Sequence, residues 1–248
     1  MLTFVRNAGR AVLLLGEAIW CLRFALAARS RKEIVLQMFV GGIKSLGVIS
    51  VVATFTGMIL ALQTGIELRK FGQEVNIGAA VMVSMLREMG PFMTGLIIAA
   101  SVGSAIAAQM GSMVVSEEIA ALELMSINPV RFLVMPRLIA LAVMTPVLSF
   151  YSCVMGVVGG GIVGMTQLGV AWSAYIDNAT RFVDNKDLFV GLLKAFLFGV
   201  IITITACHQG FSTTQGAVGV GNATRRTVII SFLSILIVGY FVTRIFYV

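Results

Sequence analysis

The chain has 248 residues, 58% of them apolar and only 12% charged, about half the charged share of an ordinary soluble domain. Its formal net charge of +7 could suit nucleic acid, but in so apolar a chain it reads as lysine and arginine gathered on one side of a membrane. Three scattered cysteines and a single histidine exclude a CxxC framework and an HExxH metal site, and no P-loop motif occurs, so no cofactor is expected.

Residues 1–33 carry Arg6, Arg10, Glu17, Arg23 and Arg29 at intervals. No clean apolar core with a small-residue cleavage site follows, so a cleavable signal peptide is not expected. Leu13, Leu14, Ala18, Cys21, Leu22 and Ala25 offer an apolar side opposite the arginines. That pattern predicts one or two amphipathic helices lying in the membrane interface; the alternative is a short helix packed on the rest of the protein.

Five spans follow, at about 40–66, 91–115, 138–165, 188–207 and 227–247. The second is expected to start at Pro91, a residue tolerated in the first turn of a helix. The apolar piece before it, 77–86, is too short to cross alone. It reads as an embedded half-helix, tolerable where it lines a protein-enclosed cavity. With the N-terminus cytoplasmic, the inner segments hold Arg6, Arg10, Arg23, Arg29, Arg31, Lys32, Arg131, Arg137, Arg225 and Arg226. The outer ones hold Arg69, Lys70, Arg181, Lys186 and Arg244. This asymmetry predicts N-in, C-out.

Span two repeats small residues every fourth position: Gly95, Ala99, Gly103, Ala107 and Gly111, with Ala100, Ser104, Ala108 and Ser112 alongside. Span three repeats Gly156, Gly160 and Gly164. Such ladders let helices approach closely in lipid, here best read as intrachain packing. Between spans two and three, Ser116 is a plausible N-cap, and Glu117 and Glu118 suit the positive end of a helix. Ile119, Leu122 and Met125 form a stripe, and Asn128-Pro129 is expected to end the helix. It reads as a connecting helix or a docking element. The Gly-, Ser- and Thr-rich stretch 208–228 lacks a phosphate-loop register and reads as a flexible turn.

The costly residues are the ions. A charge at mid-bilayer costs about 2.5–3.5 kcal/mol on insertion scales. Lys44 can snorkel to the inner surface, but Arg87, Glu88 and Lys194 fall deeper. Neighbours on a helix do not face each other, so Arg87 and Glu88 need separate partners, with Lys194 a candidate for Glu88. The cluster is either a structural ion-pair network or a polar patch that meets a ligand's headgroup.

The block LREMGPFMTGLIIAASVGSAIAAQMGSMVVSEEIAALELMSINPVRFLVMPR and the later GAVGVGNATRRTV resemble the signature of the MlaE (YrbE) permease family. The likeness runs over about 35–245 in consistent order. The resemblance implies an all-α membrane protein of the bacterial inner membrane, with an N-terminal interfacial amphipathic helix at 1–33 and a five-span permease domain at 34–248. It implies a homodimer with ABC ATPase subunits, an MCE-domain protein and a phospholipid substrate. A cytoplasmic coupling helix at about 116–128 would engage the ATPase through Glu117, Glu118, Ala121 and Leu122. The lipid cavity would be lined by Leu68, Phe71, Arg87, Glu88, Met89 and Lys194. The chain departs from the family where its arginine becomes Ser101 and its glutamate Gln109, read as one ion pair lost together, since a lone buried charge is expensive. It departs again where EQIDAL becomes EEIAAL at 117–122, which moves the acidic group and points to a distinctive ATPase partner.

The resulting expectation is a transport subunit without chemistry of its own, served by a separate ATPase. The rivals are a stand-alone proton-coupled transporter using Glu88, disfavoured by the lack of a second intramembrane carboxylate, and an intramembrane protease, disfavoured by having only His208 as a base.

Overall fold

The computed structural model describes the backbone of residues 2–24 and 28–247 and the side chains of 9–23 and 30–247. Ala25 and the side chains of Arg6 and Arg29 lie outside the described residues. All regular structure among the described residues is helical: α1 Leu2–Cys21, α2 Ala28–Gly41, α3 Leu46–Arg69, α4 Ile77–Ser84, α5 Gly90–Ile98, α6 Ser104–Val115, α7 Glu118–Leu124, α8 Met135–Gln167, α9 Trp172–Arg181, α10 Asn185–Phe211 and α11 Gly216–Tyr247. Five segments are long and apolar enough to cross a membrane: Ser30–Arg69, Glu74–Val115, Val130–Gln167, Asn185–Phe211 and Gly216–Tyr247. The molecule is therefore an all-α, multi-pass membrane protein with a helix ahead of its five spans.

Two boundaries differ from expectation. The piece at 77–86 is not a separate half-helix but the start of one 42-residue segment, Glu74–Val115. What carries the helix through Pro91 is a π-helical turn at Met85–Met89. Proline removes one hydrogen bond and its ring clashes with the carbonyl four residues back; a wider turn moves that carbonyl aside. The same device recurs at Val130–Val134, again two residues ahead of a proline, Pro136. The glycine-rich stretch is not a loop either: α10 runs to Phe211, and α11 starts at Gly216, in the left-handed region at φ 60°.

The chain forms two compact units, each drawn from three stretches of sequence. The first comprises Met1–Ser45, Leu96–Thr145 and Phe196–Ile235. Its interior holds Ile106, Ala107 and Met110 of α6, Leu138 and Leu141 of α8, and Phe198 and Ile202 of α10. A Cβ on Gly199 would come within 2.6 Å of the Leu141 carbonyl, so α8 and α10 approach at backbone distance there. In lipid, where tails are as apolar as leucine, such close van der Waals fit supplies much of the association. α1 buries Ala18 and Cys21 and packs against the Val130–Val134 turn. Asn128 Nδ2 donates to Glu17 Oε1 at 2.9 Å.

In this unit positions 101 and 109 bond different partners. Gln109 Oε1 accepts from Arg137 Nη2 at 2.9 Å, while Ser101 Oγ donates to the Ile97 carbonyl at 2.6 Å. Residue 109 thus answers to Arg137, not to position 101. Arg137 is 3% exposed, bonds the Leu133 carbonyl, leaves Nε unbonded, and has no ion-pair partner among the described residues. The neutral glutamine has left a buried guanidinium held by dipoles alone.

The second unit comprises Leu46–Gly95, Pro146–Ala195 and Leu236–Val248. A Cβ at Gly57 would collide with the Gly156 carbonyl, and one at Gly159 with the Thr54 carbonyl, so α3 and α8 meet backbone to backbone. Ile77, Val81 and Met85 pack with Cys153 and Val157 around Tyr175 of α9. The Tyr175 hydroxyl is wholly buried and donates to the Val157 carbonyl at 3.1 Å. Burial pushes its pKa upward, so it stays a neutral donor. Asn178 of α9 accepts from the Ala79 amide at 3.2 Å and donates to Asn76 at 3.0 Å. This pins α9 over the start of the second apolar segment, directly before the turn that carries the ions.

Candidate functional site

In the second unit, the π turn Met85–Met89 presents Arg87 and Glu88 as neighbours that diverge. Arg87 makes a bidentate pair with Asp187: Nε to Oδ1 at 2.7 Å and Nη2 to Oδ2 at 3.1 Å. Glu88 pairs with Lys194 at 2.6 Å. The two ions do take separate partners, and Lys194 is the partner of Glu88. Asp187 and Lys194 lie seven residues apart on α10, hence two turns apart on one face.

Lys194 is 1% exposed, and all three of its protons are placed. They go to Glu88 Oε1 at 2.6 Å, Thr243 Oγ1 at 2.6 Å and the Arg87 carbonyl at 2.7 Å. That carbonyl is the one a residue-91 amide would bond in a regular α-helix, and residue 91 is a proline. Lys194 thus donates to a carbonyl that Pro91 has no amide to serve, while neutralising Glu88. The Thr243 hydroxyl reaches Glu88 Oε1 at 2.6 Å and the Gly239 carbonyl at 2.9 Å, tying in α11.

Asp187 was not anticipated. It is 1% exposed, and Oδ1 also accepts from the Tyr247 hydroxyl at 2.7 Å. The argument that no second carboxylate lies in the apolar segments is therefore wrong: α10 begins at Asn185, three residues before the predicted span, and takes Asp187 in with it. An acidic residue in the first turn suits the positive end of a helix. The legible signal was its spacing of two turns from Lys194.

The front of the cluster differs from its back. The side chains of Arg87 and Glu88 are 37% and 45% exposed, against 1% for each of Asp187 and Lys194. Arg87 Nη1 and Glu88 Oε2 have no hydrogen-bond partner among the described residues. So a cationic and an anionic edge stand side by side, each anchored from behind by a buried counter-ion. Of the other expected residues, Leu68 and Met89 pack against the apolar cluster around Met85 and Tyr175, and Phe71 stands 75% exposed. The described residues contain no metal-binding cluster.

The other candidate lies in the first unit. Helix α7 starts at Glu118, with Glu117 ahead of it at φ 58°. Ser116 does not cap it: the Ser116 hydroxyl donates back to the Ser112 carbonyl at 2.6 Å and closes α6. α7 stops at Leu124 in a Schellman turn, with Ile127 N–H to the Leu122 carbonyl and Ser126 N–H to the Glu123 carbonyl, both 2.9 Å. Asn128 begins the next helix rather than ending this one, its Oδ1 accepting from the Val130 and Arg131 amides at 2.8 and 3.1 Å. Glu117, Glu118 and Ala121 are exposed and Leu122 half-buried. The expected stripe splits: Ile119 and Leu122 turn inward, while Met125 and its neighbour Leu124 are 62% and 88% exposed. Beside them lies a groove of about 710 Å³ walled by Leu14, Ile119 and Phe211 and carrying Glu17, Glu117 and Glu123.

Comparison with known proteins completes the picture. The family described as Permease MlaE matches residues 34–245. The probable ABC transporter permease protein of Rickettsia prowazekii is 38% identical over 86% of this chain and 83% of its own. The intermembrane phospholipid transport system permease protein MlaE of Haemophilus influenzae is 34% identical over all of this chain and 98% of its own. The Arabidopsis thaliana chloroplast protein trigalactosyldiacylglycerol 1 is 32% identical over 83% of this chain and 59% of its own. With a family match over 34–245 and like proteins aligned along nearly their whole length, the chain belongs to the MlaE permease family.

Proposed function

We propose that this chain is the membrane subunit of an ABC transporter that moves phospholipid between the bacterial inner membrane and a conduit built by an MCE-domain protein. It works as a homodimer, without chemistry of its own, and ATP is hydrolysed on separate subunits. The likeness to the Haemophilus phospholipid permease supports the substrate class. The observation that carries the reading is the half-open ion cluster. Arg87 and Glu88 keep bonding capacity free at an exposed edge, while Asp187 and Lys194 sit sealed behind them. A purely structural network has no reason to leave that capacity open in an apolar segment, where an unmet charge is expensive. A zwitterionic or anionic headgroup satisfies it: phosphate toward Arg87, an ammonium or hydroxyl toward Glu88. Lys194 acts as a positioning residue. Leu68, Phe71 and Met89 offer apolar contact for acyl chains.

The exposed Leu124 and Met125, with Glu117, Glu118, Ala121 and Leu122, form the docking face for the ATPase. The lysine and arginine asymmetry supports an N-terminus in the cytoplasm and a C-terminus outside. Residues 1–33 then lie at the inner membrane surface. The proton-coupled alternative gains a carboxylate in Asp187, but one locked bidentately to a guanidinium is a poor proton carrier. Copurification of the native complex, with bound lipid identified by mass spectrometry, tests the proposal. Phospholipid should be retained by the wild type and lost in Arg87→Ala and Glu88→Ala, and transport in liposomes should require ATP. Transport by the chain alone under a pH gradient would overturn it.

A further inference from the structure

The Arg87 end of the cluster holds one more cation than its pairs account for. Arg87 Cζ lies 4.6 Å from the centroid of the Tyr247 ring, and Lys186 Nζ lies 5.1 Å from the same centroid. Two cations sharing one aromatic ring repel each other, and each gains only about 0.5–1 kcal/mol from an exposed ring. The carboxylate that bonds this end is spent: Asp187 takes both Arg87 bonds and the Tyr247 hydroxyl, while Asp184 acts on Arg87 only through space. Lys186 is exposed and has no ion pair among the described residues. At this end Lys186 is the cation left without an ion pair among the described residues, whereas Glu88 and Lys194 pair directly.

We propose that Lys186 and Arg87 form a two-cation corner for a singly charged phosphate group, with Tyr247 as the residue that positions both. This rests on the headgroup reading above and adds a specificity determinant to it. The Tyr247 hydroxyl fixes Asp187, Asp187 fixes the guanidinium plane, and the same ring lies 5.1 Å from Lys186 Nζ. A planar guanidinium with a free Nη1 edge and a flexible ammonium suit the oxygens of a tetrahedral phosphodiester. The extra lysine favours heads whose net charge is negative over those that carry their own ammonium, which it repels. The phosphate can belong to a lipid head or be free in solution.

The test uses the intact complex equilibrated with vesicles of equal phosphatidylglycerol, phosphatidylethanolamine and diacylglycerol, with retained lipid quantified by mass spectrometry. Lys186→Met should lower the ratio of phosphatidylglycerol to phosphatidylethanolamine by about fivefold, the effect of one near-surface lysine on an anionic lipid. Lys186→Arg should restore it. Tyr247→Phe, which keeps the ring but frees Asp187, should lower retention of both phospholipids. Arg181→Met, an exposed cation away from that ring, should change nothing. If millimolar inorganic phosphate displaces phosphatidylglycerol from the wild type but not from Lys186→Met, the corner stands and its ligand is free phosphate; no displacement assigns it to the lipid head. An unchanged ratio in Lys186→Met overturns the inference. If Arg87→Ala lowers retention in that same experiment, only the corner fails; if Arg87→Ala also retains lipid at the wild-type level, the headgroup reading fails with it.

Discussion

Lys194 joins three helices through one ammonium group: the Arg87 carbonyl, the Glu88 carboxylate and the Thr243 hydroxyl are all within 2.7 Å. Removing one partner of a buried pair costs about 3–5 kcal/mol, because the other charge is stranded. Lys194→Met should therefore lower the thermal unfolding midpoint of the complex sharply, and Glu88→Gln added to it should recover part of the loss. Thr243→Val should cost much less, about 1 kcal/mol, in line with single interhelical hydrogen bonds in membranes. Arg137 offers the converse experiment. Its guanidinium is buried beside Gln109 without a carboxylate among the described residues. Gln109→Glu should raise the unfolding midpoint by supplying the missing charge; a lowered midpoint would show that the glutamine is the better partner. The ions in the middle of apolar runs were legible in the sequence because their cost there is large. Asp187 was not, because Asp184, Asn185 and Lys186 beside it read as loop and only the folded chain shows that α10 has already begun.

Helix ends and irregularities were less visible than helices. The five spans follow from composition, but the π turns at 85–89 and 130–134 answer to prolines two residues further on, and a proline alone predicts a helix start as readily as a continuation. Pro91→Ala restores an amide that can bond the Arg87 carbonyl. In that background Lys194→Met should cost less than in the wild type, a coupling readable from the four unfolding midpoints of a double-mutant cycle. Equal costs would mean that the Arg87 carbonyl contributes nothing to the role of Lys194. The sequence predicts α7 to begin two residues early and end four residues late, because Ser116 and Asn128 are both good caps and each serves a different helix. The ladder glycines Gly156 and Gly160 are crowded by the Met85 and Tyr175 side chains, while the backbone-to-backbone approach falls at Gly57 and Gly159, outside the ladders. Gly57→Leu should abolish stable folding of the subunit in detergent, since the obstacle is the Gly156 carbonyl, whereas Gly47→Ala, facing open space, should be nearly neutral.

The two units carry different chemistry. In one unit, an ion cluster keeps one cationic and one anionic edge open. In the other, α7 turns Leu124 and Met125 outward. If that apolar face engages the ATPase, Leu124→Glu should reduce copurification of the ATPase and ATP-driven transport while leaving phospholipid retention intact. The opposite result, lipid lost and ATPase retained, would reverse the assignment of the two units. The central claim is that the open edge of Arg87 and Glu88 meets a lipid head. A high-resolution structure of the native complex in lipid nanodiscs tests it most directly. The account predicts phosphate density within hydrogen-bonding reach of Arg87 Nη1, with tails running along Leu68 and Met89. A cluster packed shut against protein, with no lipid-sized space before Arg87 and Glu88, would contradict it.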